Sequence, residues 1–492
     1  MVALTLAFLT VSGAGITVRA GTPEAQAVGE GISWPSQVFA PYVDMVAWVP
    51  PGRPYSNNGA PNLSRIAEYS GAEFFKLGFI QAVTGQNGQG RVENGRVVWG
   101  WGGHEVLSPL HPNNAQYRGI RQAIYDVRKM GGDVAISIGG LYGITPWEVS
   151  QDVDVLVATY LDIINAYNLT RLDLDIETAT STVESLNIIN ARAIRQVQYE
   201  TGIEVVLTLP VLPSGLTPRD QAVLRAYLSE GVDVLMVNIM TMAYGHATIP
   251  PGHNYGTASL LAVENTMRQV RSFFYRYADI ELTEEEAFAR VGTTISIGFE
   301  GTAHPIFTLE WAELVVEHAI EKGLGLASFW SMNRDAMIEW APNPGIHAPY
   351  EFSYLFNRFA DAVKSEEDVK DDEDIEEYED DDETQDDDDK DDEDEDEDDD
   401  DDEKEEPDEA PAPPVVLPPA PVPPAETTPP RAPTPPSGDI IDFSNIPGTT
   451  YTMGQLVRWN GEVFRVRQTF TYWGDPSWKP GGPAHSLWQR VA

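Results

Sequence analysis

Asp173, Asp175 and Glu177 stand at every second position of Arg171-Leu-Asp-Leu-Asp-Ile-Glu177, with Leu172, Leu174 and Ile176 between them. Successive side chains of a strand point to opposite faces, so this spacing puts three carboxylates on one face and three apolar residues on the other. Carboxylates this close do not all ionise freely; at least one pKa rises, and a proton is held near neutral pH, as general acid catalysis requires. A wet surface strand would satisfy the same spacing without any chemistry. Against it, residues 152–168 read as an amphipathic helix. A strand sheathed by helices has its other face inside a barrel, where three unpaired acids are costly unless they act.

The elements that must position these acids alternate along the chain. Short β-branched runs at 39–46, 74–83, 134–139, 171–177, 204–210, 232–242, 291–299 and 325–331 are separated by helical patterns. Eight such strands predict an α/β fold, a (β/α)8 TIM barrel over 36–362, with its site where strands end and βα loops begin. A doubly wound open sheet is the competing architecture. By the same two-residue period Asn238, Met240, Met242 and Tyr244 share one face of the sixth strand. Tyr42, Phe79 and Gln81, near the ends of the first two strands, are candidates to line the cleft.

The 492 residues carry a net charge of −45, unevenly spread: residues 366–409 hold 35 Asp and Glu against three Lys, leaving −13 for the remainder. The folded parts are thus only mildly acidic, and no Lys/Arg cluster suggests a nucleic-acid partner. The stretch 407–436 has 14 Pro in 30 residues. Residues 364–438 therefore read as a disordered acidic and proline-rich linker, whose proline part spans on the order of 90 Å when extended. There is no Cys, which excludes disulfides and thiolate chemistry. Residues 1–30 carry an apolar run followed by small residues, as an export leader does, though without a positive start; the run is too short to predict a membrane span. Residues 439–492 hold six Trp and Tyr in a unit small for that load, so some rings are expected at the surface, where they would stack on sugar faces.

The string Leu172-Asp-Leu-Asp-Ile-Glu177 resembles the Asp-x-x-Asp-x-Asp-x-Glu signature of glycoside hydrolase family 18, the chitinases and their relatives, with Thr170 in place of the first Asp. Ser137-Ile-Gly-Gly140 is similar to the family's Ser-x-Gly-Gly, Met242-Ala-Tyr244 to its Met-x-Tyr, and Phe329-Trp330 to its closing Trp. The resemblance covers most of residues 36–345. It implies that Glu177 protonates the glycosidic oxygen while the substrate's own N-acetyl carbonyl attacks the anomeric carbon, with retention and no enzyme nucleophile. It further implies that Asp175 stabilises the oxazolinium, that Asp173 shares a proton with Asp175, and that Tyr244 holds the N-acetyl oxygen. Trp330 would floor the sugar, with Met242 beside it, and Ser137 would support the acids. Relatives often carry an acid beside this Tyr, where the chain has Ala243 and Gly245.

The C-terminal unit resembles a family 5/12 carbohydrate-binding module through Tyr451-x-x-Gly454, Val457-Arg-Trp459-x-Gly461, Val463-Phe464-Arg-Val466, Asp475-Pro-Ser-Trp478-x-Pro480 and Leu487-Trp488. Trp478, with Tyr472 and Trp473, is its sugar-stacking candidate, and Trp488 is expected in its core. These readings together imply a secreted, monomeric chitinase acting on chitin or chitooligosaccharides, needing no cofactor or metal. An endo-β-N-acetylglucosaminidase acting on N-glycans, and a non-catalytic chitin-binding lectin, are the alternatives.

Overall fold

Near-continuous apolar runs, Val134-Ala-Ile136 and Val205-Val-Leu207 among them, form strands buried on both faces, as parallel strands under helices must be. The computed structural model describes residues 28–363, except 51, 54, 86–87, 302–303 and 339–342, and residues 440–491, except 445–448, 453–454, 467–469, 473–478 and 481–487. Two compact units lie within residues 1–376 and 377–492.

In the first unit eight strands are each followed by a helix. They are β1 (Val38–Phe39 and Tyr42–Asp44), β2 (Phe74–Ala82), β3 (Asp133–Gly139), β4 (Arg171–Asp175), β5 (Glu204–Pro210), β6 (Val234–Met240), β7 (Val291–Ser296) and β8 (Leu326–Trp330). The helices are α1 (Leu63–Ser70), α2 (Ala115–Lys129), α3 (Val153–Tyr167), α4 (Glu184–Thr201), α5 (Pro218–Ser229), α6 (Tyr255–Phe273), α7 (Leu309–Lys322) and α8 over 351–363. Neighbouring strands pair in parallel and in sequence order; the first segment of β1 pairs with β8 and the second with β2, which closes the sheet into a barrel.

The outward side chains, including Leu172, Leu174, Val237 and Ile239, join the helices in one apolar core. The inward side chains form two layers. The lower is apolar, with Val38, Ala40, Phe74, Ala135, Val206, Met236 and Leu326 packed on Trp34. The upper is polar and fully buried: Tyr42, Lys76, Ser137, Asp173, Thr208, Asn238 and Thr294. Phe74 and Lys76 face inward by alternation, and a register shift in β2 between Leu77 and Ile80 then sends Ile80 to the apolar sheath. The pairing of β4 outlasts its last assigned residue, since Ile176 N donates to Thr208 O at 3.0 Å, so the alternation carries through to Glu177.

Residues 28–34 strap the lower end of the barrel. Arg128 Nε lies 2.7 Å from Asp133 Oδ1, and its guanidinium donates to the carbonyls of Val28, Gly29, Tyr167 and Asn168. Asp133 Oδ2 accepts from Ile32 N at 3.0 Å and Trp34 Nε1 at 3.3 Å. The leader expected over 1–30 therefore overlaps the barrel at 28–30, while residues 1–27 and the expected linker at 364–438 lie outside the described residues. Among the described residues no helix is long and apolar enough to cross a membrane.

The described residues of the second unit form β-strands and turns. Ile441–Asp442, Leu456–Trp459, Glu462–Val466 and Trp488–Val491 form one sheet, and Thr449–Tyr451 pairs antiparallel with Phe470–Tyr472. Its core gathers Phe443, Tyr451, Val457, Phe464, Val466, Tyr472 and Trp488.

Cutting the strap at its charge pair tests its weight. Asp133→Ala leaves the buried Arg128 without its carboxylate, and a loss of about 3–5 kcal/mol is expected in denaturant unfolding; a loss below about 1 kcal/mol would show that the strap is dispensable.

Candidate active site

Asp173 lies in the polar layer and is wholly enclosed. Its Oδ1 takes Lys76 Nζ at 2.9 Å and the Thr208 hydroxyl at 2.6 Å; its Oδ2 takes the Tyr42 hydroxyl at 2.8 Å and the Ser137 hydroxyl at 2.6 Å. The network runs on through Asn238 Nδ2, which donates to Thr208 Oγ1 at 2.9 Å, and Thr294 Oγ1, which donates to Asn238 Oδ1 at 2.9 Å. Lys76 was not foreseen among the site residues, although a lone cation inside the apolar run Phe74-Phe-Lys-Leu77 was the signal.

Asp175, two residues up the strand, is buried and hydrogen-bonded to Glu177. Burial is the first cause that lifts its pKa well above the carboxylate range, the charges of Glu177 and Asp173 add to this, and Lys76 opposes it. Its Oδ1 has no hydrogen-bond partner among the described residues. Glu177 is half-buried at the barrel mouth. Burial again leads in raising it to about 7; Glu300 of the β7α7 loop adds to the rise, and the Asp175 hydrogen bond and Arg219 oppose it. Burial thus raises both Asp175 and Glu177, which are hydrogen-bonded to each other, whereas Asp173 is met by one ammonium and three hydroxyls.

Ser137-Ile-Gly-Gly140 makes this closeness sterically possible. A Cβ on Gly139, whose φ is +127°, would stand 1.9 Å from Asp175 O, and Gly140 N donates to that same oxygen at 3.1 Å. Trp330 is half-buried at the end of β8; its ring stacks on Phe79 with centroids 5.5 Å apart and tilts over Tyr42 at 6.1 Å. The inner face thus rises from Tyr42 to a plate of Trp330 and Phe79.

Four expected site residues stand elsewhere. Tyr42 does not line an open cleft: it is buried beneath Trp330 and serves Asp173, with Lys76 Nζ over its ring at 4.4 Å. Gln81 spends its amide on Gly139 O, at 2.7 Å, and Tyr142 O, pinning the β3α3 loop. Tyr244 was expected to face inward by alternation, but β6 ends at Met240 and Ala243 adopts φ +53°, which resets the count. Its backbone N donates to the Tyr255 hydroxyl at 2.7 Å and its ring packs edge-on against Tyr255 at 5.2 Å, both toward α6. Ser259 of α6, whose hydroxyl donates to Tyr255 O at 3.0 Å, lies against the buried Tyr244 hydroxyl. Met242 is half-buried at the mouth. In the C-terminal unit Tyr472 is core, not surface: it is 2% exposed and meets Phe443 at 5.1 Å. Trp488 is core as expected, whereas Trp473 and Trp478 lie outside the described residues. Trp459 is half-exposed, with Lys479 Nζ 5.6 Å from its ring centroid. Among the described residues no group of three or more His, Asp or Glu is placed to hold a metal ion.

Comparison with known proteins meets this geometry at the acids' barrel. Over 366 residues, 70% of its length, the chain is 30% identical to a probable bifunctional chitinase/lysozyme of Escherichia coli strain K12, of which it covers 36%. Over 331 residues it is 30% identical to Endochitinase 11 of Metarhizium anisopliae, of which it covers 55%. The catalytic domain of a hyperthermophilic chitinase from Pyrococcus furiosus superposes with a TM-score of 0.53 at 27% identity, covering 68% of this chain and 98% of that one. Its relatives are chitinases. The likeness is thus to proteins named as chitinases and, in the solved structure, to a chitinase catalytic domain. The chain spans between 36% and 55% of the length of the two curated relatives. No protein-family model matches it.

The raised Glu177 has a consequence for stability. The folded chain keeps this proton where the unfolded chain has released it, so the contribution is full below the unfolded carboxylate pKa and is lost as pH rises through about 7. Glu177→Gln, which cannot ionise, is expected to stabilise the fold at about pH 8 relative to about pH 5 by on the order of 1–3 kcal/mol. Equal effects at both pH values in chemical denaturation would contradict the raised pKa.

Proposed function

We propose that the barrel hydrolyses β-1,4 linkages between N-acetylglucosamine units of chitin by a substrate-assisted, retaining route. The observation that carries this reading is a buried Asp175, its Oδ1 without a hydrogen-bond partner among the described residues, hydrogen-bonded to a Glu177 that burial raises to about 7. Glu177 gives its proton to the glycosidic oxygen, and the bond to the leaving sugar breaks as the substrate's acetamido oxygen closes on the anomeric carbon. Asp175 Oδ1 accepts the acetamido N–H, orients it, and faces the positive charge that forms on the oxazolinium ring. Trp330 and Phe79 offer an apolar plate under the sugar. Water then opens the oxazolinium from the face that the leaving sugar vacated, opposite the acetamido oxygen, with Glu177 taking its proton, and the acetamido group is restored. Tyr244 has no part in this route, because its ring packs on α6. The likeness to chitinases, one of them solved with chito-oligosaccharides, supports the same substrate class.

Within the same proposal the C-terminal unit holds the enzyme on insoluble chitin, and the chain is exported. The tether would raise the local concentration of the barrel at the polymer surface without touching the acids.

Glu177→Gln is expected to lower the release of sugar from N-acetylglucosamine hexamer by about 10²-fold or more, with binding retained in calorimetry; turnover near the wild-type rate would overturn the assignment. Removing residues 364–492 should spare cleavage of the soluble hexamer and weaken attack on crystalline chitin, and equal loss on both substrates would refute the tether.

A further inference from the structure

Lys76 is a costly residue in its place. Its side chain is 2% exposed in the middle of the barrel, and a buried ion pair contributes less to stability than well-packed apolar side chains of similar volume often do. Its ammonium has three partners: Asp173 Oδ1 at 2.9 Å, Thr208 Oγ1 at 3.3 Å and the Tyr42 ring at 4.4 Å. Three hydroxyls already serve Asp173, so an apolar side chain with a protonated Asp173 would be a simpler way to fill this layer. What the ammonium adds is a fixed charge.

We propose that Lys76 is a positioning residue for the proton of the acid ladder: by holding Asp173 as a fully bonded carboxylate, it confines the single mobile proton to the Asp175–Glu177 pair. This deepens the chitinase reading and rests on it for the consequence in turnover. The charged and titratable groups around the pair set the balance. Below it lie Lys76 from β2, Asp173 and Arg171 from β4 and Tyr42 from β1; at the mouth lie Glu300 from the β7α7 loop and Arg219 at the start of α5. Lys76 and Asp173 act on Asp175 with opposite sign, so each offsets part of the other's effect, and either one alone would not be offset. Without the ammonium, Asp173 becomes a competing proton acceptor one strand position below Asp175. The proton then has a resting place out of reach of the glycosidic oxygen.

The test is a charge cycle on the full-length protein: wild type, Lys76→Met, Asp173→Asn and the double variant. Infrared titration of the protonated carboxyl C=O stretch reads the ladder without turnover. In Lys76→Met the midpoint of the pair is expected to rise by roughly one to two pH units, the scale of one nearby unit charge removed from a buried site. In Asp173→Asn the midpoint falls, and in the double variant it returns toward wild type. On N-acetylglucosamine hexamer Lys76→Met should show a kcat lowered roughly tenfold or more near neutral pH with KM little changed, and both limbs of its pH profile moved upward. A merely structural lysine would leave the midpoint in place while lowering stability. An unchanged midpoint in a folded Lys76→Met overturns the proposal, as does a double variant that keeps the shift of either single one. Should Lys76→Met not fold, the difference between Asp173→Asn and the double variant reads the same coupling from the opposite corner. Failure of the wild type to cleave any N-acetylglucosamine oligomer would defeat the chitinase reading alone, with the infrared midpoints still deciding the role of Lys76.

Discussion

Lys76 Nζ and Asp173 Oδ1 meet at 2.9 Å in a layer that no solvent reaches, and the placement of everything above them follows from how completely Asp173 is satisfied there. Four donors from β1, β2, β3 and β5 converge on one carboxylate of β4, which ties five neighbouring strands of the barrel together through side chains as well as through their ladders. Such a network is strong only when every member is paired, because the dry interior that strengthens each bond also makes each unpaired group expensive. The layer meets this condition around Asp173. The condition is relaxed at Asp175 Oδ1, one step closer to the mouth. A buried acceptor without a partner is what a binding site for an N–H donor looks like before its ligand arrives.

The gradient along β4 then assigns three different jobs to three identical chemical groups. Asp173 has its charge met by a cation, Asp175 has burial and like charges pressing it toward the neutral form, and Glu177, at the rim, is pushed up to about 7 by burial. Environment separates the roles, as it does wherever a pair of carboxyls must act as acid and stabiliser at one pH. The surrounding elements serve this gradient locally. The β2 register shift lets one strand supply both Lys76 to the layer and Phe79 to the plate beneath Trp330, and Gly139 lets β3 approach the backbone of Asp175.

Strong periodic signals were legible in the sequence: the acid ladder, the eight strands and their helices, and Trp330 at the end of β8 all stand where the spacing put them. The misses share one physical cause, which is that alternation is valid only while a strand is regular. Tyr244 lies beyond the end of β6 and after a left-handed Ala243, and Gln81 lies beyond the β2 register shift. Tyr42 was on the expected face but one layer too deep, since a two-residue period gives the face and not the depth along the barrel axis. Tyr472 was misplaced for a different reason. A small all-β unit has few residues with which to build a core, so it uses its aromatics, and composition alone cannot sort core rings from surface ones. Lys76, Glu300 and Arg219 come from other strands and loops, and only the closed barrel brings them to the ladder.

The central claim is that one shared proton and the substrate's own acetamido group suffice for cleavage, with no nucleophile from the protein. Proton NMR of the first-formed products from chitin hexamer, run beside its fully de-acetylated counterpart, tests this most directly. The account predicts a β-anomer at the new reducing end of the acetylated substrate, ahead of mutarotation, and no cleavage of the de-acetylated one. An α-anomer formed first, or comparable turnover of the substrate that lacks acetamido groups, would contradict it.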